Sequence, residues 1–285
     1  MSSTLRRWQR LCWRYACLCR LHRPTDLLLL WLIVLLASLL ASAGSGELQW
    51  LRLWSLLLAT TLMRAAAWLL NDWLDARLSP QASDSLLAQG LVKPQASQHL
   101  FIGLLGGAGL LLWSLGSAVL LSSLLTLAAL AILLWMRTRL ALTQLWLGLL
   151  YASFVPIAWL AQQAPPDNIM ALLFLAIALW ASAFTSQWAL ARLPLEQRLG
   201  IQSLAQIFGI HSWLLVLVLQ TTALASLWLL GQRAELGWSF QLAILLAMLL
   251  LPWQIWLQWQ HPLYGPLRAY HSQLLSGLIL LGGLI

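Results

Sequence analysis

The chain has 285 residues, of which 61% are hydrophobic and only 8% charged. A water-soluble domain carries roughly 25% charged residues, so a soluble globular protein is excluded and a polytopic membrane protein is expected. The net charge of +8 would point to nucleic acid in a soluble protein. In a membrane protein it marks cytoplasmic loops, and no nucleic-acid partner is expected.

The chain opens on a basic leader, residues 1–23, with Arg6, Arg7, Arg10, Arg14, Arg20 and Arg23. No small-residue cleavage site follows a short apolar core, so a cleavable signal peptide is not expected. Cys12, Cys17 and Cys19 all lie in this leader, at a spacing that is no zinc pattern, and are expected as free thiols. Apolar runs then predict nine spans near 25–43, 51–71, 99–116, 118–136, 142–162, 169–190, 205–230, 238–258 and 268–285. The third and fourth are joined by a tight turn at Gly116-Ser117.

With the N-terminus in the cytoplasm, the cytoplasmic segments hold the six leader arginines, Arg77, Lys93, Arg137, Arg139, Arg192, Arg198 and Arg268. Only Arg52 and Arg233 face the other side, as the positive-inside rule requires. The whole of 1–285 therefore reads as one all-α transmembrane domain in a membrane of bacterial inner-membrane type. Residues 79–97, rich in Ser and Gln and holding Pro80 and Pro94, are expected as a lid or connector on the cytoplasmic side.

The second span ends in the most informative stretch, Met63 to Asp75. Only eight acidic residues occur in the chain, and Asp72 and Asp75 are two of them. Arg64, Asn71, Asp72 and Asp75 share roughly one helix face. Two carboxylates and an amide at i, i+1 and i+4 can hold a hard cation such as Mg²⁺. An arginine about 10 Å deeper along the helix can hold an anion. Ionisable groups inside a membrane mark a binding site by default; snorkelling to the interface is the bland alternative for Arg64.

At these residues the chain resembles the UbiA family of intramembrane aromatic prenyltransferases, and within it the 4-hydroxybenzoate polyprenyltransferases. Arg20 to Pro24 followed by Leu28 to Trp31 looks like the family's first helix, and Met63-Arg64 through Asn71-Asp72-x-x-Asp75 like its first aspartate motif. Met136-Arg137, Gly148 and Pro156 look like its span-five region. Gln187, Ala189, Gly200-Ile201, Ser203, Ala205 and Phe208-Gly209 frame its second aspartate motif, and Ser272 and Gln273 stand where the family carries asparagines. The resemblance implies a bundle of about nine helices around a cavity facing the cytoplasm. It also implies transfer of a prenyl group from polyprenyl diphosphate to an aromatic acid, with Mg²⁺ on Asn71, Asp72 and Asp75. Arg64 would steer the acceptor, and Arg137, Arg192, Glu196 and Arg198 would contact substrate.

The departures from the family are as specific as the matches. A further aspartate of the first motif falls at Ser79, and its basic stretch at Ser83-Asp84 and Ala88. Acidic positions of the second motif fall at Thr185, Arg192, Pro194 and Leu195, and Glu196 alone keeps a carboxylate. Arginine cannot bind Mg²⁺ but can neutralise phosphate directly. Two readings stand: an active enzyme in which arginines replace half of the metal chemistry, or an impaired relative that binds a prenyl lipid or partners an active enzyme. His22, His99, His211, His261 and His271 are too scattered for a metal cluster, and the nineteen tryptophans suit the interfacial belt.

Overall fold

Inside lipid, every backbone N–H and C=O must find its partner within the chain, so apolar runs long enough to cross become helices. The computed structural model describes residues 13–22, 24–43, 46–78, 87, 89–262 and 264–285. After a helical turn over 13–18 come α1 (Thr25–Ala43), α2 (Trp50–Leu78), α3 (Pro94–Leu115), α4 (Ser117–Met136), α5 (Thr143–Ala152) and α6 (Phe154–Ala161). Then follow α7 (Asn168–Ala191), two short helices α8 (Leu193–Arg198) and α9 (Leu204–Phe208), α10 (Ser212–Arg233), α11 (Trp238–Gln260) and α12 (Tyr264–Gly282). Among the described residues there is no strand, and eight spans are long and apolar enough to cross a membrane, α5 and α6 together forming one of them. Helix α12 packs against α1, α7 and α11 as the ninth. The chain is an all-helical integral membrane protein.

Several boundaries differ from the sequence expectation: the second span runs on to Leu78 rather than 71, and the third starts at Pro94 rather than 99. The fifth span breaks at Ser153 because Pro156 has no N–H to return to the carbonyl of Ala152, four residues earlier. The seventh starts at Ser212 rather than 205, because Gly209 turns the chain at φ +48° after the short helix α9. The ninth starts earlier, at Tyr264. The tight turn between α3 and α4 is as expected, with Gly116 at φ +131°. Of the expected connector, residues 79–86 and 88 lie outside the described residues, as do the first twelve residues with Arg6, Arg7, Arg10 and Cys12, and Arg23. Cys17 and Cys19 are free thiols.

The helices close a ring: each packs on the next from α1 to α7, then α10 to α12, and α12 returns to α1. Gly148 lets α5 lie directly on α7; a Cβ there would meet Ser182 Oγ and the Ala178 carbonyl, with Ser182 N at 2.9 Å. On the far side a belt of glutamines ties four helices together. Gln273 Nε2 donates to Gln187 Oε1 (3.0 Å) and Gln254 Oε1 (3.2 Å), and Gln220 Nε2 also donates to Gln254 Oε1 (3.1 Å). Gln254 Nε2 donates to Ser276 Oγ (3.0 Å), and Trp180 Nε1 to Gln273 Oε1 (2.8 Å). In lipid, such bonds hold helices whose apolar faces have no hydrophobic reason to associate. This rigid half forms the back of the site, leaving the space between α1, α2, α4, α5 and α7 open.

Candidate active site

The polar end of α2 carries Arg64, Trp68, Asn71, Asp72 and Asp75, and the charges of Arg64, Asp72 and Asp75 each meet an opposite charge from another segment. Arg20, in the turn after the first helical segment, donates from Nη2 to Asp72 Oδ1 at 2.9 Å and lies 4.1 Å above the Trp68 ring. Arg137, at the end of α4, donates from Nη1 to Asn71 Oδ1 at 2.7 Å. Its Nη2 stands 2.9 Å from Asp75 Oδ1, without the alignment of a hydrogen bond, so that attraction is coulombic. Asn71 Nδ2 donates to Asp75 Oδ2 at 2.9 Å. Asn71, Asp72, Asp75 and Arg137 are thus brought together as the sequence suggested. Arg20, which the sequence offers as a leader charge and as the start of the first-helix resemblance, joins them.

Arg64 has a different setting. Its Nε and Nη2 fork onto Asp26 at 2.8 and 2.6 Å, while Nη1 and Nη2 reach the Cys19 and Arg20 carbonyls at 3.1 and 3.2 Å. Trp68 Nε1 donates to Asp26 Oδ2 at 2.8 Å. Asp26 is in the first turn of α1 and was not singled out from the sequence. The signal was present, since a buried arginine needs a partner and acids are scarce in this chain.

Two cavities open on this face. The larger, about 800 Å³, is lined by Arg20, Arg192, Thr185, Trp188, Tyr270 and His271 among others. The smaller, about 190 Å³, has an almost wholly apolar wall of leucines from α4 and α5 with Met63, Ala67 and Phe154. Asp26, Arg64, Trp68, Leu147 and Tyr151 belong to both walls and form the junction. A polar chamber sharing a wall with an apolar pocket suits a molecule with an anionic head and a hydrocarbon tail.

The wall opposite α2 lacks carboxylates. Thr185, Arg192, Pro194 and Leu195 line the larger cavity. Arg192 lies 5.4 Å above the Trp188 ring. Arg198 is exposed, and neither it nor Glu196 contributes to either cavity wall. Glu196 is buried in the connector beside Ser203, where loss of solvation pushes its carboxyl from 4.5 up to about 7, with Ser203 and Arg192 pulling the other way. Between those values an unfolded chain releases the proton while the folded one keeps it, so stability falls as pH rises through that window. Glu196→Gln is expected to raise the unfolding temperature at about pH 8 and leave it nearly unchanged at about pH 4.5 or below, by an amount corresponding to about 3 kcal/mol at most. Thermal unfolding in detergent across pH checks this.

The same connector holds Arg137 in place through its backbone. Gln202 N–H donates to the Arg137 carbonyl at 2.9 Å, the Thr143 hydroxyl to the Gln202 carbonyl at 2.8 Å, and Leu204 N–H to Gln144 Oε1 at 2.8 Å. Chain segments from both connectors therefore fix the backbone from which the guanidinium reaches Asn71 and Asp75.

For a divalent cation, the donors present are the oxygens of Asn71, Asp72 and Asp75. Asp75 Oδ1 is fully buried and accepts no aligned hydrogen bond, so a metal would engage it beside the Arg137 Nη2 that stands 2.9 Å away. These residues fit one cation. No group of three or more His, Cys, Asp or Glu residues comes together among the described residues, so a second carboxylate set is not present there.

Comparison with known proteins agrees with the geometry. The UbiA prenyltransferase family profile matches residues 30–276. A 4-hydroxybenzoate octaprenyltransferase of Vibrio campbellii is 33% identical over 241 residues, covering 83% of this chain and 84% of that protein. The enzyme of the same name from Pseudomonas putida is 28% identical over 288 residues, covering 100% and 97%. Among solved structures, the apo form of a UbiA homolog from Aeropyrum pernix superposes with a TM-score of 0.75 at 19% identity, covering 92% of this chain and 97% of that one. A UbiA homolog from Archaeoglobus fulgidus bound to DMAPP and Mg²⁺ gives 0.64 at 14% identity, covering 94% and 99%. The chain belongs to the UbiA prenyltransferase family.

Proposed function

We propose that this protein transfers a polyprenyl group from polyprenyl diphosphate to an aromatic acid such as 4-hydroxybenzoate, as in ubiquinone-type biosynthesis. The observation that carries the reading is the arginine-lined chamber opening into an apolar pocket at the end of the Asn71–Asp75 motif. Relatives named 4-hydroxybenzoate octaprenyltransferase support the choice of acceptor. The tail lies in the apolar pocket, which places the reacting end at the junction. Arg20 and Arg192 on the chamber wall, with Arg137 behind Asn71, face the diphosphate. Arg137 Nε is buried without a hydrogen-bond partner and would donate to it, while Nη2 stays paired with Asp75. Asn71, Asp72 and Asp75 would hold a Mg²⁺ ion, which neutralises charge on the departing diphosphate. Arg64, fixed by Asp26, stands at the acceptor end. Glu196 and Arg198 act at most through the connector. The membrane is of bacterial inner-membrane type, with the N-terminus and the chamber on the cytoplasmic side.

The second reading, a relative that binds prenyl lipid without turning it over, is favoured by one observation: the wall opposite α2 carries Arg192 and no carboxylate. One assay separates the two. Membranes from a host without its own 4-hydroxybenzoate prenyltransferase receive 4-hydroxybenzoate, a polyprenyl diphosphate and Mg²⁺, and products are read by mass spectrometry. Prenylated product that disappears with chelator is expected. Folded protein that makes none across several donors and acceptors would leave the binding role.

A further inference from the structure

We propose that Asp26 is a catalytic residue of this reaction, accepting the proton that the acceptor ring loses when the new carbon–carbon bond forms. The inference rests on the prenyl-transfer reading and adds a residue to it. Among the residues lining the two cavities, Asp26 is the sole carboxylate. Asp72 and Asp75 belong to neither wall. Glu196 is buried in the connector, away from both walls. His22 and His271 line the larger cavity but not the junction, and the His271 ring nitrogen Nδ1 already shares a hydrogen with the Thr25 hydroxyl at 2.7 Å. A prenyl group with its tail in the apolar pocket and its diphosphate among the arginines presents its reactive carbon at the junction, where Asp26 stands.

The carboxylate is held for that task. Oδ2 accepts from Arg64 Nε and Trp68 Nε1, and Oδ1 accepts from Arg64 Nη2. A carboxylate has about four acceptor positions, so one remains, on Oδ1. The Arg64 fork and the Trp68 indole fix its direction without filling it. In the reaction the allylic carbon–oxygen bond breaks and diphosphate leaves with the electron pair. The ring carbon next to the phenol hydroxyl supplies the pair for the new carbon–carbon bond. The C–H pair at that carbon then returns to the ring, and its proton passes to Oδ1 of Asp26. The protonated carboxyl returns the proton to water through the polar chamber.

The test compares 4-hydroxybenzoate with its ring-deuterated form as acceptor for wild type and Asp26→Asn, in the same membranes with a polyprenyl diphosphate and Mg²⁺. Wild type is expected to show an isotope effect near unity, because ring deprotonation by a placed base is fast. Asp26→Asn is expected to lose about 100-fold in kcat and to acquire a primary isotope effect, because proton loss becomes rate-limiting. A variant that only misplaces substrate loses rate with no isotope effect. Asp26→Asn leaves Arg64 short of its counter-ion; the double variant Asp26→Asn, Arg64→Gln removes both charges and is expected to show the same isotope effect. Loss of rate in the folded double variant with an isotope effect still near unity overturns the assignment, as does an unchanged rate in either variant. Wild type that makes no product at all overturns the prenyl-transfer reading itself, and the assignment of Asp26 with it.

Discussion

Asp72→Asn is expected to abolish prenyl transfer, with a loss of at least about 100-fold in kcat, while leaving the protein folded. Asparagine keeps the shape and one acceptor oxygen but removes the charge that a cation needs. Asp72 meets Arg20, and the Arg20 side chain is 17% exposed on the wall of the larger cavity, so its guanidinium keeps access to water when its partner becomes neutral. The effect therefore falls on chemistry rather than on folding. Mass-spectrometric turnover alongside an unfolding curve in detergent separates the two. Full turnover in this variant would remove Asp72 from the site.

Arg137→Ala is expected to fail in both respects. Its guanidinium is buried and serves Asn71 and Asp75 at once. Truncation leaves Asp75 buried with no cation beside it, a loss of about 3–5 kcal/mol for such pairs. Activity should fall by at least about 100-fold, and the unfolding temperature should drop markedly. Asp75→Asn made together with Arg137→Ala should recover much of the stability, since no charge is stranded, and recover none of the activity. Recovered activity in that double variant would show that neither residue handles substrate.

The two variants differ because Arg20 lies in a turn open to the chamber, whereas Arg137 is strapped between two connectors. That contrast is invisible in the sequence, where both are arginines close to one end of an apolar span. The helices were legible because lipid demands long apolar runs, and α1, α4 and α11 fall close to where hydropathy puts them. The break at Ser153 was legible in principle from Pro156, yet hydropathy alone runs straight through it. The Asn71–Asp75 motif was legible because acids are scarce in so apolar a chain. Its partners were not: Arg20 lies 52 positions from Asp72, and Asp26 lies 38 from Arg64. Only packing of α1 and the preceding turn against α2 brings them together. Glu196 was the reverse case, a carboxylate at a motif position that the connector turns away from both cavities. Position in a motif told its residue type but not its direction.

The ion pairs also order events during synthesis. Arg20 and Asp26 leave the ribosome before α2, so Asp72 and Arg64 can be neutralised as soon as α2 is complete. Asp75 has no such early partner. Arg137 follows Asn71 by 66 positions, after all of α3 and α4. Until α4 is made, the motif holds an uncompensated acid at the membrane edge, and α2 gains its final seat only when the fourth span docks. Chains halted before residue 137 should therefore be the form most readily extracted or degraded, because partly assembled membrane segments expose what the finished ring conceals.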